Sequence, residues 1–327
     1  MNRLLGAIAL VTVVMTALAC VRSSIWSYGA DTGTFAQSIF NAFAGFANSV
    51  EPGGTHLQTH WSPIIAVLWP LVALTHSPLS IQIAQAAIVA LAALPLYYLI
   101  LPYAGELWAF RCGVLALIYP PLLSNAFTEF HELAFYPVLA LAMLWAADRA
   151  RWLWYGIFAV AIVLVREDAC LDLIVVGLVI AAVAWIRRES AQRGLLYGEP
   201  IEPRKCAVAG LALAGLSLAS LAVYALVVLP RYGRWAPAHF YVYPFANGPV
   251  QVVLAAFIHP AQFAHAIVTL GRFTYLLEIF VPLALLPLLS RWTLLAVPAL
   301  AGILLSNNGV VWRMGRITCC SWCRGYF

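Results

Sequence analysis

Long apolar stretches separated by short polar breaks run through almost the whole chain. A helix that crosses a bilayer needs about 20 mostly apolar residues, with a range of roughly 17–25. The runs at 4–21, 79–101, 107–123, 133–147, 152–165, 169–186, 206–229, 275–289 and 292–305 predict nine spanning helices. Several are short, which bilayer thinning or neighbouring protein can accommodate. Residues 63–75 are also apolar, but Pro63 and Pro70 punctuate them. That stretch predicts an interfacial helix in the first outer loop. The first run also resembles a signal sequence, with Ala19-Cys20 like a lipoprotein cleavage site. Ala17 stands where such a site favours leucine, so the helix is read as retained.

Composition supports this pattern. Hydrophobic residues make up 64 % of the 327 positions and charged residues only 9 %. A soluble domain carries about 25 % charged and 45–50 % apolar residues. So few charges cannot coat a water-facing surface, which excludes a soluble enzyme, a disordered chain and a coiled coil. The predicted fold class is all-α: a polytopic transmembrane helical bundle of about nine spans. There are 18 basic and 13 acidic residues, net +5, and Lys205 is the only lysine. The basic residues lie in short loops, which fits membrane topology and not nucleic-acid binding. Cys20, Cys112, Cys170 and Cys206 read as small buried hydrophobes. Cys319, Cys320 and Cys323 crowd the end, but without a second Cys-x-x-Cys pair they do not read as a zinc site.

Sidedness follows from basic residues, which accumulate on the cytoplasmic side. With the amino terminus inside and 63–75 not crossing, ten lie inside: Arg3, Arg111, Arg149, Arg151, five in 187–205, and Arg291. Five lie outside: Arg22, Arg166, Arg231, Arg234 and Arg272. This arrangement also sends loop 22–62, loop 124–132, turn 166–168 and loop 230–274 to the outer face. Most of the polar residues with chemical potential sit there.

Asp31 follows the first span, in Ser27-Tyr28-Gly29-Ala30-Asp31-Thr32-Gly33. It reads either as a reactive carboxylate or as the N-cap of a helix over 35–43. His60 opens His-Trp-Ser-Pro as a substrate contact or a solvated residue. Glu129, His131 and Glu132 are three titratable groups within four positions. At helical spacing the two acids share a face, suited to a proton or a divalent ion, or they favour a helix entry. Arg166-Glu167-Asp168 interrupts the apolar run from 152 to 186. An arginine flanked by acids suits phosphate binding, while self-paired charges suit a plain hairpin. Arg231, Arg234 and the aromatic stretch Phe240–Phe245 read as a sugar and lipid-phosphate platform or as an interfacial belt. Walker, dinucleotide-binding, Gly-x-Ser-x-Gly and His-Glu-x-x-His motifs are missing.

The order Asp31-x-Gly33-x-x-x-Gln37, His60 before Ser62-Pro63, Phe130-His131-Glu132 and Arg166-Glu167-Asp168 resembles the bacterial family called domain of unknown function 2079. That family looks distantly like the GT-C glycosyltransferases, which include aminoarabinose and protein mannosyltransferases. The resemblance spans roughly residues 5–310. It implies a multi-span transferase with a polyprenyl-phosphate sugar donor and an outer-face site. It implies an acid just after the first span, matched by Asp31, and a second in the next outer loop, matched by Glu129 or Glu132. It also implies an interfacial helix between the first two spans, matched by 63–75. Family members run longer, so residues 1–310 are expected to be a GT-C-like domain and 311–327 an atypical tail left by truncation.

The expected function is therefore an inner-membrane glycosyltransferase. Asp31, Glu129, His131, Glu132 and Glu167 would be its catalytic groups. His60, Arg166, Asp168, Arg231 and Arg234 would contact substrate. A divalent cation, magnesium or manganese, would rest on Asp31 and Glu129. The partners would be the bilayer, a lipid-linked sugar and an extracytoplasmic hydroxyl acceptor. The rival readings are a transporter of lipid-linked precursors and a scaffold without chemistry.

Overall fold

The computed structural model describes residues 1–26, 29–186, 202–232 and 240–309. The sequence reading's basic stretch at 187–201, its Arg234 and its tail at 311–327 lie outside those residues. The chain divides into two compact units, Met1–Ala236 and Pro237–Phe327, where the sequence reading drew one domain to residue 310.

The first unit begins with α1 (Asn2–Trp26), followed by α2 (Ala30–Phe40). Residues Pro63–Leu68 form 3₁₀ turns that lead into α3 (Trp69–Thr75). Then come α4 (Leu79–Leu91), α5 (Ala93–Ile118), α6 (Pro120–Phe127), α7 (Phe135–Asp148) and α8 (Trp152–Val163). The unit closes with α9 (Ala169–Ile186), α10 (Pro203–Val223), a π-helical turn at Tyr224–Val228 and α11 (Leu229–Tyr232).

By length and composition, four helices suit a membrane crossing: Asn2–Ile25, Leu79–Ile118, Ala169–Ile186 and Pro203–Tyr232. The second of these is not one straight rod. Gly105 takes φ +75° and ψ 174°, outside the helical region, just after Pro102. A Cβ on Gly113 would lie 3.5 Å from the Ala93 carbonyl oxygen. In a straight helix those residues would be about 30 Å apart. The chain therefore reverses at Gly105, close to the sequence-predicted break between 101 and 107. The same contact holds α1, because Leu4 packs with Ala90, Ala93, Ala109 and Leu117. Helices α9 and α10 cross at Gly177 and Gly210. A Cβ on either would sit 2.5 Å from the other's carbonyl oxygen, the close backbone approach that small residues permit.

These reversals give the first unit two distinct ends. At one, the Met1 ammonium meets Glu106 at 3.2 Å and the Tyr103 hydroxyl donates to Asp148, 2.6 and 2.7 Å from its two oxygens. At the other lie the end of α1, α2, residues 128–134 and the 166–168 turn. The Pro63–Thr75 segment joins that end: Trp69 Nε1 donates to Phe40 O at 3.1 Å, and the Ile64 N–H donates to Leu164 O at 3.0 Å. At 13 residues it is, like Trp152–Val163, shorter than the ~20 of a full crossing.

The second unit has a short hairpin, β1 (Val242–Tyr243) with β2 (Ala246–Asn247). Helices α12 (Pro249–Ile258), α13 (Pro260–Ile267), α14 (Leu270–Phe280) and α15 (Val297–Leu304) follow. The runs predicted to span at 275–289 and 292–305 are not continuous helices. Pro282 and Pro287 each lack an N–H, and Ala284 and Leu285 turn left-handed at φ 51° and 58°. What suits a crossing here is a pair bent by 60°, Pro260–Ile267 with Leu270–Leu283. Buried Arg272 ties this unit together, donating to Leu304 O, Ala266 O, Ser306 O and Tyr243 Oη at 2.6–2.8 Å. Among the four cysteines read as buried, Cys170 and Cys206 are buried, Cys112 is half-buried and Cys20 is exposed on α1.

Candidate functional site

Helix α2 starts from Gly29, whose backbone is extended and which offers no side-chain cap. The first N–H groups of a helix have no partner within it. Glu129, a hundred residues away, supplies one. Its Oε1 accepts from the Gly29 N–H at 3.1 Å, and its Oε2 from the Thr32 N–H at 3.1 Å and the Thr32 hydroxyl at 2.5 Å. Arg22, at the end of α1, forms an ion pair with the same carboxylate. A carboxylate at a helix N-terminus is also favoured by the helix dipole. The approach is so close that a Cβ on Gly29 would lie 2.4 Å from Glu129 Cδ.

Two glutamines on α4 lock the segment that carries Glu129. Gln82 Nε2 donates to Thr32 Oγ1 at 3.1 Å, and that oxygen also accepts from the Phe130 N–H at 3.1 Å. Gln85 Nε2 donates to Glu129 O at 3.1 Å, while its Oε1 accepts from the His131 N–H at 2.8 Å. Both glutamines are buried, where unpaired amides would be costly. The clamp therefore fixes the backbone on which His131 is mounted.

Asp31 lies in the first turn of α2. It is not the N-cap; that position belongs to Gly29. Its side chain is 51 % exposed and faces His131, 45 % exposed, with Oδ2 3.9 Å from Nε2. Partial burial raises the Asp31 pKa; His131 opposes the rise, and Glu129, Glu132 and Glu51 add to it.

Beneath this rim lies a buried set of charges. His60 Nδ1 is 2.9 Å from Glu167 Oε1, and the Trp61 N–H donates to Glu167 Oε2 at 2.8 Å. Burial, the largest single effect, and Arg166 lower the His60 pKa, but the Glu167 hydrogen bond and the Glu167 and Glu132 charges together outweigh them and the net shift is upward. Arg166 grips Asp168 through Nε at 2.7 Å and through Nη2, and reaches Glu132 Oε1 from Nη1 at 3.4 Å. Burial opposes the Arg166 charge, yet Asp168 and Glu132 more than restore it. Glu132 is 1 % exposed. Burial pushes its pKa up, but Arg166, then His60, His131 and His56, pull it down to about 2. His56 Nδ1 meets Glu51 at 3.0 Å. Burial raises the Glu51 pKa, and the bonds to His56 lead a larger lowering. The Phe35 ring lies amid this set, 4.8 Å from His56 and 6.0 Å from His131.

The structure thus brings Asp31, Glu129, His131, Glu132, His60, Arg166, Glu167 and Asp168 to one end of the first unit. It assigns several of them other work than the sequence suggested. Glu129 and Glu132 do not share a helical face, because residues 128–131 are not helical and the two acids turn to different arginines. Arg166 is committed to carboxylates. Arg231 is exposed beside Tyr232 on α11, which packs against the 56–58 turn. Arg234 lies outside the described residues. A cation on Asp31 and Glu129 does not fit well, because Glu129 already receives a guanidinium, two N–H groups and a hydroxyl. Among the described residues no three or more His, Cys, Asp or Glu side chains are grouped to hold a metal ion. The sequence places Glu51 and His56 among the polar residues of the outer loops without assigning them a role; Gln82 and Gln85 it does not single out. The signal for the glutamines was present: two amides one turn apart inside an apolar run need buried partners.

No curated protein and no solved structure matches the chain. The family model described as predicted membrane protein (DUF2079) matches residues 24–316, nearly the whole length, and the chain therefore belongs to that family of membrane proteins.

Proposed function

We propose that this chain is a multi-pass glycosyltransferase of GT-C type in a bacterial inner membrane. Its donor would be a polyprenyl-phosphate-linked sugar and its site would face away from the cytoplasm. The observation that carries the reading is Asp31. It follows the first apolar helix, stays exposed at the rim, and opposes His131 instead of being consumed by an ion pair with arginine or lysine. An upward-shifted carboxylate is better suited to take a proton near neutral pH.

In this reading the acceptor hydroxyl attacks the anomeric carbon as the bond from that carbon to the phosphate oxygen breaks. The hydroxyl proton passes to Asp31, and His131 stabilises the carboxylate before the transfer. Polyprenyl phosphate leaves with the electron pair of the broken bond. Arg231, exposed at the end of the α10 span, is the guanidinium we assign to that phosphate. Glu129, Glu132 and Glu167 hold the scaffold that aims Asp31 and His131.

The alternation of ends in the first unit supports seven crossings there, and the bent helices of the second unit would complete a count near nine. A transporter of lipid-linked precursors is the second reading, favoured by the 60° break between α13 and α14. One experiment separates the two. The full chain in liposomes is given polyprenyl-phosphate sugars with hydroxyl acceptors, and sugar transfer is measured. Release of polyprenyl phosphate with formation of a new glycoside is expected. Movement of intact donor across the bilayer without transfer would replace our reading with the transporter.

A further inference from the structure

The end of the first unit away from the rim carries more positive charge than it offsets. Its acids are taken: Glu106 meets the Met1 ammonium, Glu202 meets Lys205 at 3.1 Å, and Asp148 is buried under the Tyr103 hydroxyl. Among the described residues no carboxylate forms an ion pair with Arg149 or Arg151.

Those two arginines leave one tight turn. The N–H groups of Arg149, Ala150 and Arg151 donate to the carbonyls of Trp145, Ala147 and Ala146 at 3.1, 3.2 and 2.8 Å, and Ala150 turns left-handed at φ 52°. The turn wraps the end of α7 and sends the chain into α8. Two steps of the chain separate the arginines, so their Cα atoms lie within ~7.6 Å of each other. The Arg151 guanidinium sits over the Trp145 ring, 5.2 Å from its centroid, and Tyr98 holds that ring from the side at 6.4 Å. Stacking on an indole leaves the N–H edge of a guanidinium free to grip oxygens. Directly after the turn, Leu153 is 75 % and Trp154 48 % exposed. A second stack lies at the same end, with Arg111 over Trp108 at 4.8 Å, and Trp108 too is exposed. Tryptophan favours the depth of the lipid headgroups. A cationic edge bordered by an exposed apolar surface fits an amphiphile with a phosphate head.

We infer that the Arg149–Arg151 turn binds the phosphodiester headgroup of an anionic phospholipid in the leaflet that borders this end. Arg151 takes phosphate oxygens through its free edge, as guanidinium and phosphate geometry allows. Arg149 adds the second positive charge, and Leu153 and Trp154 meet the acyl chains. A zwitterionic lipid brings its own cation and leaves the excess charge in place, whereas an anionic one offsets it. Free phosphate has nothing to lay on the apolar surface. The inference goes beyond the transferase reading and does not depend on it.

The test titrates the purified full chain, in non-ionic detergent, with phosphatidylglycerol and separately with phosphatidylethanolamine of the same acyl chains. Bound lipid is counted by native mass spectrometry. The wild type is expected to bind phosphatidylglycerol ~10-fold or more tightly than phosphatidylethanolamine. Each arginine near an anionic headgroup contributes roughly 5-fold. Arg149→Gln and Arg151→Gln should each weaken phosphatidylglycerol binding by about that factor, with melting temperatures unchanged. Arg151→Lys keeps the charge but loses the stack and the planar fork, so it should weaken binding too. That conservative change keeps the test decisive if the glutamine variants do not fold. Equal binding of the two lipids by the wild type would overturn the inference. Wild-type affinity in Arg151→Lys would overturn it as well, leaving a diffuse basic surface. Displacement of phosphatidylglycerol by an equal concentration of glycerol 3-phosphate would replace the lipid with a soluble phosphate.

Discussion

Replacing Glu132 by glutamine removes the charge that faces Arg166 and changes almost nothing in shape. Glu132 is 1 % exposed, and its pKa falls from 4.5 to about 2 against the opposing effect of burial. At ~1.36 kcal/mol per unit, that fall is worth about 3 kcal/mol. The magnitude agrees with the ~3–5 kcal/mol typical of breaking one side of a buried pair. Because the folded-state pKa lies below the unfolded one, the contribution is complete above pH 4.5 and is lost as pH falls toward 2. The variant should therefore be less stable by about 3 kcal/mol at pH 7. The gap from wild type should close as the buffer is taken below pH 4.5. Denaturation in detergent with EDTA present, followed by intrinsic fluorescence across pH, measures this without any contribution from bound metal. A gap that is absent at pH 7, or that persists unchanged to pH 3, would refute the electrostatic account of Glu132.

Gly29→Ala should force Glu129 away from the start of α2, since the new Cβ would lie 2.4 Å from its Cδ. A loss of about 1–3 kcal/mol in unfolding free energy is expected from the donors left unpaired; unchanged stability would show that the contact is dispensable. His60 has a raised pKa, so its pairing with Glu167 should stabilise fully below pH 6.5 and fade as pH rises through the folded value. Melting curves of wild type and His60→Gln should converge at alkaline pH, and divergence there would contradict the pairing. Cysteines placed at Ser49 and Ser190 should be labelled from opposite sides of the membrane, Ser49 from outside. Outside labelling of Ser190 would reverse the orientation.

The helical pattern of the first unit was legible because each apolar run there becomes part of a helix, and because Pro102 and Gly105 mark the reversal where the polar break lies. The second unit was less so: Pro282 and Pro287 sit inside apolar runs whose hydropathy alone suggests spans. At the site, the residues the sequence grouped do lie at one end of the first unit, but with other partners than their spacing suggested. Glu129 was paired with Glu132 by helical spacing, whereas its real partners are Arg22, Gly29 and Thr32, about a hundred positions away. Asp31 and Glu129 looked equivalent in sequence. Only the tertiary structure shows one as a rim carboxylate and the other as the cap of α2.

The most direct measurement of the central claim compares Asp31→Asn with Glu129→Gln in the sugar-transfer assay, with melting temperature followed in parallel. The amide keeps the shape of Asp31 and lacks its basicity. Transfer by Asp31→Asn should fall by about 10²–10⁴ with its melting temperature unchanged, while Glu129→Gln should melt earlier. An Asp31→Asn protein that transfers sugar at the wild-type rate would contradict the assignment of Asp31 as the reacting carboxylate.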